Sequence, residues 1–324
     1  MQGERFPGDG SVLNGCDPSV LDAAYLELNR DSGVRAFSTT VAINEGFEST
    51  RIAVARVRDL CAANDARVIE SPEDLATDGK LGVILATQNT SPFDGSLARL
   101  DELVDMGIRI VQLTYNEQNL VGGGCSDPHD TGLTPFGVSV VRRLQERGVA
   151  IDLSHCGRRI VKDTLGITSA TVLFTHANCD ALCPNPRNRT DEEIREVAAA
   201  GGVIGLNAFP FFVDRAHGDV DGLARHAAHM AEITSVDSIS IGLDFVHGRD
   251  MDWVRSLGYG GAAYPPLDEW PQTYAEGIED VGRLDNLAAA LNRVGFSTDH
   301  VQAIFGYNLN RALTAAWAST GTPA

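Results

Sequence analysis

Ile151-Asp152-Leu153-Ser154-His155 and Val172-Leu173-Phe174-Thr175-His176 decide the reading of this chain. Each is a short β-like run that closes on a histidine, and a helix-like segment at 158–165 lies between them. Strand, helix and strand in that order make a βα unit followed by the start of the next. In a parallel α/β barrel the strand ends on one rim converge, so two histidines that close neighbouring strands can reach a common point. That is half of a metal site.

The same rhythm extends in both directions. Upstream, Asp17-Pro18-Ser19 introduces a helical run through Asn29, strands are predicted at 34–41, 66–69, 81–86, 108–114 and 149–154, and helices at 49–64, from 71, at 96–105 and at 135–147. Downstream, strands at 170–175, 202–208 and 238–243 alternate with helices at 191–199 and 220–234. Helices at 278–293, 298–305 and 308–317 are expected to pack outside. Strand and helix alternating over about 250 residues is the size of one (β/α)8 TIM-like barrel. The 324 residues are therefore expected to form a single domain, with 248–272 as a long loop and lid at the catalytic rim.

Composition narrows the partners. A net charge of −18 and a pI near 4.7 argue against nucleic acid and anionic membranes. No apolar stretch is long enough to span a bilayer, and Met1–Ser11 lacks the basic start and apolar core of a secretion signal, so a cytoplasmic location is expected. Six scattered cysteines read as free thiols. His176-x2-Cys179-x3-Cys183 has zinc-like spacing but lacks a second matching pair.

Asp244 closes Ile239-Ser240-Ile241-Gly242-Leu243 and supplies the carboxylate of a His155/His176/Asp244 ligand set, or alternatively a general base beside the ion. Gln88 and Tyr115 stand just beyond strand ends, where they can orient substrate or stabilise developing charge, and Asn116 follows as a substrate contact. Arg187 is suited to a bidentate grip on a substrate carboxylate, against the plainer role of a surface arginine paired to an acid. Gly122-Gly123-Gly124-Cys125 lacks P-loop spacing and reads as a flexible active-site loop. His129 and His247 are spare candidates, whereas His217, His226 and His229 belong to a helical region.

Taken in order, Gly132-Leu133-Thr134-Pro135-Phe136-Gly137, the Ile151–His155 run, Phe174-Thr175-His176, Pro186-Arg187-Asn188 and Ile241-Gly242-Leu243-Asp244-Phe245 resemble the membrane (renal) dipeptidases, peptidase family M19. The resemblance runs from about Leu81 to Asn308-Leu309-Asn310-Arg311. It implies an amidohydrolase-like barrel with a binuclear zinc site that hydrolyses dipeptides, often with tolerance for a C-terminal D-residue. It assigns His155 and His176 to one metal, Arg187 to the substrate carboxylate and Asp244 to catalysis.

The chain departs from the family pattern at three places. Ser11 and Leu13 stand where a His-x-Asp pair is expected after Asp9-Gly10, Gln88 replaces the bridging glutamate, and Tyr115 replaces a substrate-binding histidine. These departures predict one metal ion where the family has two, with zinc expected first and iron, manganese or copper as alternatives. The expected activity is a mononuclear metal-dependent hydrolase of a small carboxylate-bearing amide or dipeptide-like substrate, with Asp244, Tyr115 and Gln88 in catalysis. An iron or copper redox enzyme on the same barrel and a non-catalytic ligand-binding relative are the competing expectations. A homodimer is the general prior.

Overall fold

The computed structural model describes residues 11–75, 79–257 and 274–318. Among them are nine strands: β1 (Val12–Asp17), β2 (Val34–Ala42), β3 (Ala66–Ile69), β4 (Leu81–Thr87), β5 (Ile108–Gln112), β6 (Ala150–Asp152), β7 (Val172–Leu173), β8 (Ile204–Leu206) and β9 (Ile239–Ile241). Every pairing is parallel, in the order β7-β6-β5-β4-β2-β1-β9-β8. Phe174, just past β7, closes the ring: its N–H donates to Val203 at 3.0 Å, and its carbonyl accepts from Gly205 at 2.8 Å. The result is a (β/α)8 barrel. The ninth strand, β3, pairs with Leu81–Ile84 of β4 and leaves Leu85–Thr87 to β5.

The two-residue period of the strands sets up the site. In β4, Val83 and Leu85 join the core beneath the outer helices, while Ile84 and Ala86 join the core inside the barrel. Ile110, Ala150 and Leu173 occupy the same inner layer on the next three strands. Two residues further along each strand the inward position becomes polar, giving Gln112, Asp152 and Thr175, all buried. An apolar floor thus carries a polar layer at the rim to which the strands point.

The outer ring is formed by α1 (Ala23–Asp31), α2 (Phe47–Ala63), α3 (Leu97–Asp105), α4 (Pro135–Glu146), α5 (Arg158–Ile167), α6 (Asp191–Ala199), α7 (Pro210–Val213) and α8 (Val220–Ile233). After them come α9 (Met251–Ser256), α10 (Leu284–Arg293), α11 (Thr298–Gln302) and α12 (Asn308–Ala318). Local chemistry fixes several starts. Thr134 accepts from Gly137 with Pro135 in the first turn, and Thr190 and Glu193 form a reciprocal capping box on α6. No helix among the described residues is long and apolar enough to cross a membrane.

Four expectations are corrected. Residues 12–17 form the first barrel strand, and the following helix begins only at Ala23, capped by Asp22. The helix expected from Ser71 is a single turn at Glu73–Leu75. Residues 251–256 of the expected lid loop are helical, while 258–272 of it lie outside the described residues. Finally, α12 does not pack outside the barrel. Leu309, Ala312, Leu313, Ala316 and Trp317 join the inner-layer residues Leu13, Ile84 and Leu173 in one cluster, so α12 plugs the lower mouth. A five-residue π turn at Ala303–Tyr307 delivers it there, with Gly306 so close to the Ser11 carbonyl that a Cβ would lie 1.9 Å away.

Candidate metal centre

His155 and His176 leave the ends of β6 and β7 and meet inside the rim, fully buried, with their Nε2 atoms 3.0 Å apart. What stands behind each ring fixes its proton. The Thr175 hydroxyl donates to Asp152 Oδ2 at 2.6 Å, so its oxygen accepts from His176 Nδ1 at 2.7 Å. Asn116 Oδ1, an amide oxygen that can only accept, takes the His155 Nδ1 proton at 2.8 Å. Both Nδ1 atoms therefore carry hydrogen, and both Nε2 atoms present lone pairs to each other. Burial, reinforced by the positive charges of Arg187 and Arg189, holds both imidazoles well below the usual histidine range. Two neutral imidazoles with facing lone pairs and anchored second nitrogens are what a shared cation requires.

The opposite wall comes from β1 and β9. Asp244 has φ 58°, a left-handed conformation that Asp tolerates better than most residues, and its N–H donates to the Cys16 carbonyl at 3.0 Å. Asn207 Nδ2 donates to Asp244 Oδ2 at 3.1 Å, and the Cys16 thiol lies 3.6 Å from Oδ1. Gln88 donates from Nε2 to Cys16 Sγ at 3.2 Å and to Thr40 Oγ1 at 2.8 Å. Ligand atoms of Cys16, His176 and Asp244 lie within 4.8 Å of one another. Among the described residues this is the one such group of three or more His, Cys, Asp or Glu side chains. Burial raises the pKa of Asp244, with Arg187 opposing, and burial together with the Asp244 charge pushes the Cys16 thiol well up. Two imidazoles, a thiol and a carboxylate are zinc-like donors, and three of them, Cys16, His176 and Asp244, gather closely enough to share one ion.

Cys16 is the residue that the sequence reading missed. Ser11 and Leu13 were expected at the first-strand position, but Ser11 precedes β1 and Leu13 belongs to the barrel floor, whereas Cys16 stands near the end of the strand. The signal was present in Asn14-Gly15-Cys16-Asp17, a soft donor after a glycine at a strand end. Gly15 permits the approach, since a Cβ there would lie 3.1 Å from the Thr175 carbonyl.

The other expected residues gather around this centre in distinct ways. Tyr115 stacks on His155 with ring centroids 4.1 Å apart, and Gln88, Tyr115 and Asp244 line a tight cleft with Ile43, Phe209 and Val254. Trp253 of α9 also lines it, and Arg249 sits 4.5 Å above the Trp253 ring, so α9 partly covers the mouth. Asn116, also left-handed at φ 57°, stands behind His155 and orients it. Arg187 is 1% exposed, and its guanidinium donates to the carbonyls of Ser154 and His176. It is not a surface arginine, and its charge acts on both histidines and on Asp244.

The glycine loop is packed rather than loose. Gly124 bridges to Cys156, a Cβ on it would lie 2.1 Å from the Asn116 carbonyl, and the Cys125 N–H donates to the His155 carbonyl at 2.9 Å. Cys179 and Cys183 are turned toward the carbonyls of His226 and Phe211. His129 is exposed, and His247 stacks on Tyr25.

Comparison with known proteins agrees with this architecture. An uncharacterized dipeptidase of Schizosaccharomyces pombe is 25% identical over 260 residues, covering 76% of this chain and 57% of that protein. The dipeptidase tcpJ of Claviceps purpurea is 27% identical over 239 residues, covering 72% of this chain and 51% of its own. The chain thus spans about half the length of these curated relatives. The crystal structure of an amidohydrolase from Pseudomonas aeruginosa superposes with a TM-score of 0.88 at 29% identity, covering 94% of this chain and 96% of that one. The sequence profile described as membrane dipeptidase (peptidase family M19) matches residues 15–254, from the end of β1 to the helix over the cleft, and the chain belongs to that family.

Proposed function

We propose that this protein is a mononuclear metal-dependent hydrolase acting on a small carboxylate-bearing amide, dipeptide-like in form. The observation that carries the reading is the pair of His155 and His176 Nε2 lone pairs at 3.0 Å, beside the Asp244 carboxylate at a narrow cleft. Family membership and the dipeptidase relatives support it.

His155 and His176 would hold one divalent ion, with Asp244 beside it and zinc favoured by the imidazole donors. When bound, such an ion supplies Lewis-acid chemistry, polarising an amide carbonyl and acidifying water. The protein does the rest. Asn207 holds one oxygen of Asp244, so the other is aimed at the centre and can take a proton from water and pass it to the leaving amine. Tyr115 packs on His155 and lines the cleft, where it orients substrate. Gln88 already donates to Thr40 and Cys16, so it acts by positioning. The buried Arg187 charge, which acts on Asp244 and on both histidines, favours a substrate that brings a carboxylate to this centre. The apolar walls Ile43, Phe209 and Val254 exclude water from around it.

The test is turnover by metal-stripped protein reloaded singly with zinc, manganese, iron or cobalt, against dipeptides ending in L- and D-residues. At least one metal should restore hydrolysis by about 100-fold or more over the stripped protein. Absence of metal-dependent turnover across the panel overturns the reading.

A further inference from the structure

We infer that Cys16 is a thiolate ligand of the ion at this centre. The inference rests on the proposed metal site but not on hydrolysis. Cys16 differs from the other buried cysteines in its surroundings. Cys61, Cys156 and Cys179 are packed in the apolar core, and Cys183 points its thiol at a backbone carbonyl. Cys16 belongs to none of the apolar clusters. Its sulfur faces the Asp244 carboxylate at 3.6 Å, receives the Gln88 amide at 3.2 Å, and shares a 4.8 Å neighbourhood with a ring nitrogen of His176.

Three physical points converge on ligation. Thiolate is a strong soft donor for zinc, and the Gln88 N–H to sulfur is the kind of hydrogen bond that stabilises a ligating thiolate. Charge balances as well, because one thiolate and one carboxylate neutralise a divalent ion and spare a buried centre a net charge. Finally, His155, His176 and Cys16 make three protein ligands, the number that leaves an open position for chemistry and frees Asp244 to move protons. On binding, the S–H bond breaks, its proton leaves through Asp244 Oδ1 to water, and the sulfur electron pair goes to the ion. The amide at Gln88 then has a reason: a carboxylate there would repel the thiolate.

X-ray absorption at the zinc edge of the full, zinc-loaded chain should give one sulfur neighbour at about 2.3 Å among nitrogen and oxygen neighbours. The cobalt-loaded chain should show a sulfur-to-cobalt charge-transfer band. Cys16→Ser should lose that band and bind cobalt at least about 10-fold more weakly, while Cys16→His should lack the band yet regain affinity. A wild-type spectrum with only nitrogen and oxygen neighbours overturns the inference, as does a band that survives in Cys16→Ser. If Cys16→Ser does not fold, the wild-type scattering still decides. Sulfur ligation without hydrolysis sinks only the hydrolase reading; hydrolysis without sulfur ligation sinks only this one.

Discussion

Replacing His176 with alanine is expected to abolish stoichiometric metal binding and to lower kcat/KM by more than about 100-fold, beyond the 10–100-fold that changes behind a ligand usually cost. Among the described residues His176 is the side chain that joins both halves of the centre. Its Nε2 lies 3.0 Å from that of His155, and it belongs with Cys16 and Asp244 to the close group on the opposite wall. Its Nδ1 is also the end of a chain through Thr175 to Asp152 that fixes the orientation of the ring. Metal titration and steady-state kinetics provide the check, with the exposed His129→Ala as the control that should behave as the parent. Near-parental metal affinity in His176→Ala would show that the ion, if any, lies elsewhere.

The second large effect is on folding. Asp152 is buried, and its Oδ1 accepts from the N–H groups of Ser154 and Thr175, both at 3.0 Å, and from the Ser154 hydroxyl at 2.5 Å. Oδ2 takes the Thr175 hydroxyl at 2.6 Å. One carboxylate thus ties the end of β6 to the end of β7 just beneath the two histidines. Asp152→Ala leaves these donors without an acceptor in a dry interior, and the expected loss is about 3–5 kcal/mol, the range for removing one partner from a buried charged network. Urea denaturation measures it through the midpoint at constant slope. Metal affinity should fall with it, because the Thr175 hydroxyl loses the acceptor that orients it toward His176. A change under about 1 kcal/mol, the size of one ordinary hydrogen bond, would contradict this account.

The barrel was legible because its strands are buried on both faces and several read as near-continuous apolar runs between helical segments. Residues 81–86 read as a strand from apolar residues alone, and Thr190 marked the start of α6. β1 was hidden because Asn14, Gly15 and Asp17 interrupt its apolar run and because those residues resemble a turn. The destination of α12 could not be read either. An amphipathic pattern says that one face is buried, not that it fills the mouth of a barrel. His155, His176 and Asp244 were assigned to one place because a barrel sends strand ends to one rim. Cys16 was not, because a lone cysteine at a strand end looks like core packing until Gln88 and Asp244 are seen around it. The bracing role of Arg187 is likewise a tertiary fact: its partners are carbonyls on two other loops.

The central claim is a single ion held by the two histidines, and counting metal per chain tests it most directly. Elemental analysis of zinc-reconstituted protein, freed of loosely bound metal, should find one zinc per chain, and none in the His155→Ala/His176→Ala double variant. Two zinc ions per parental chain, or one ion retained after both histidines are removed, would contradict it.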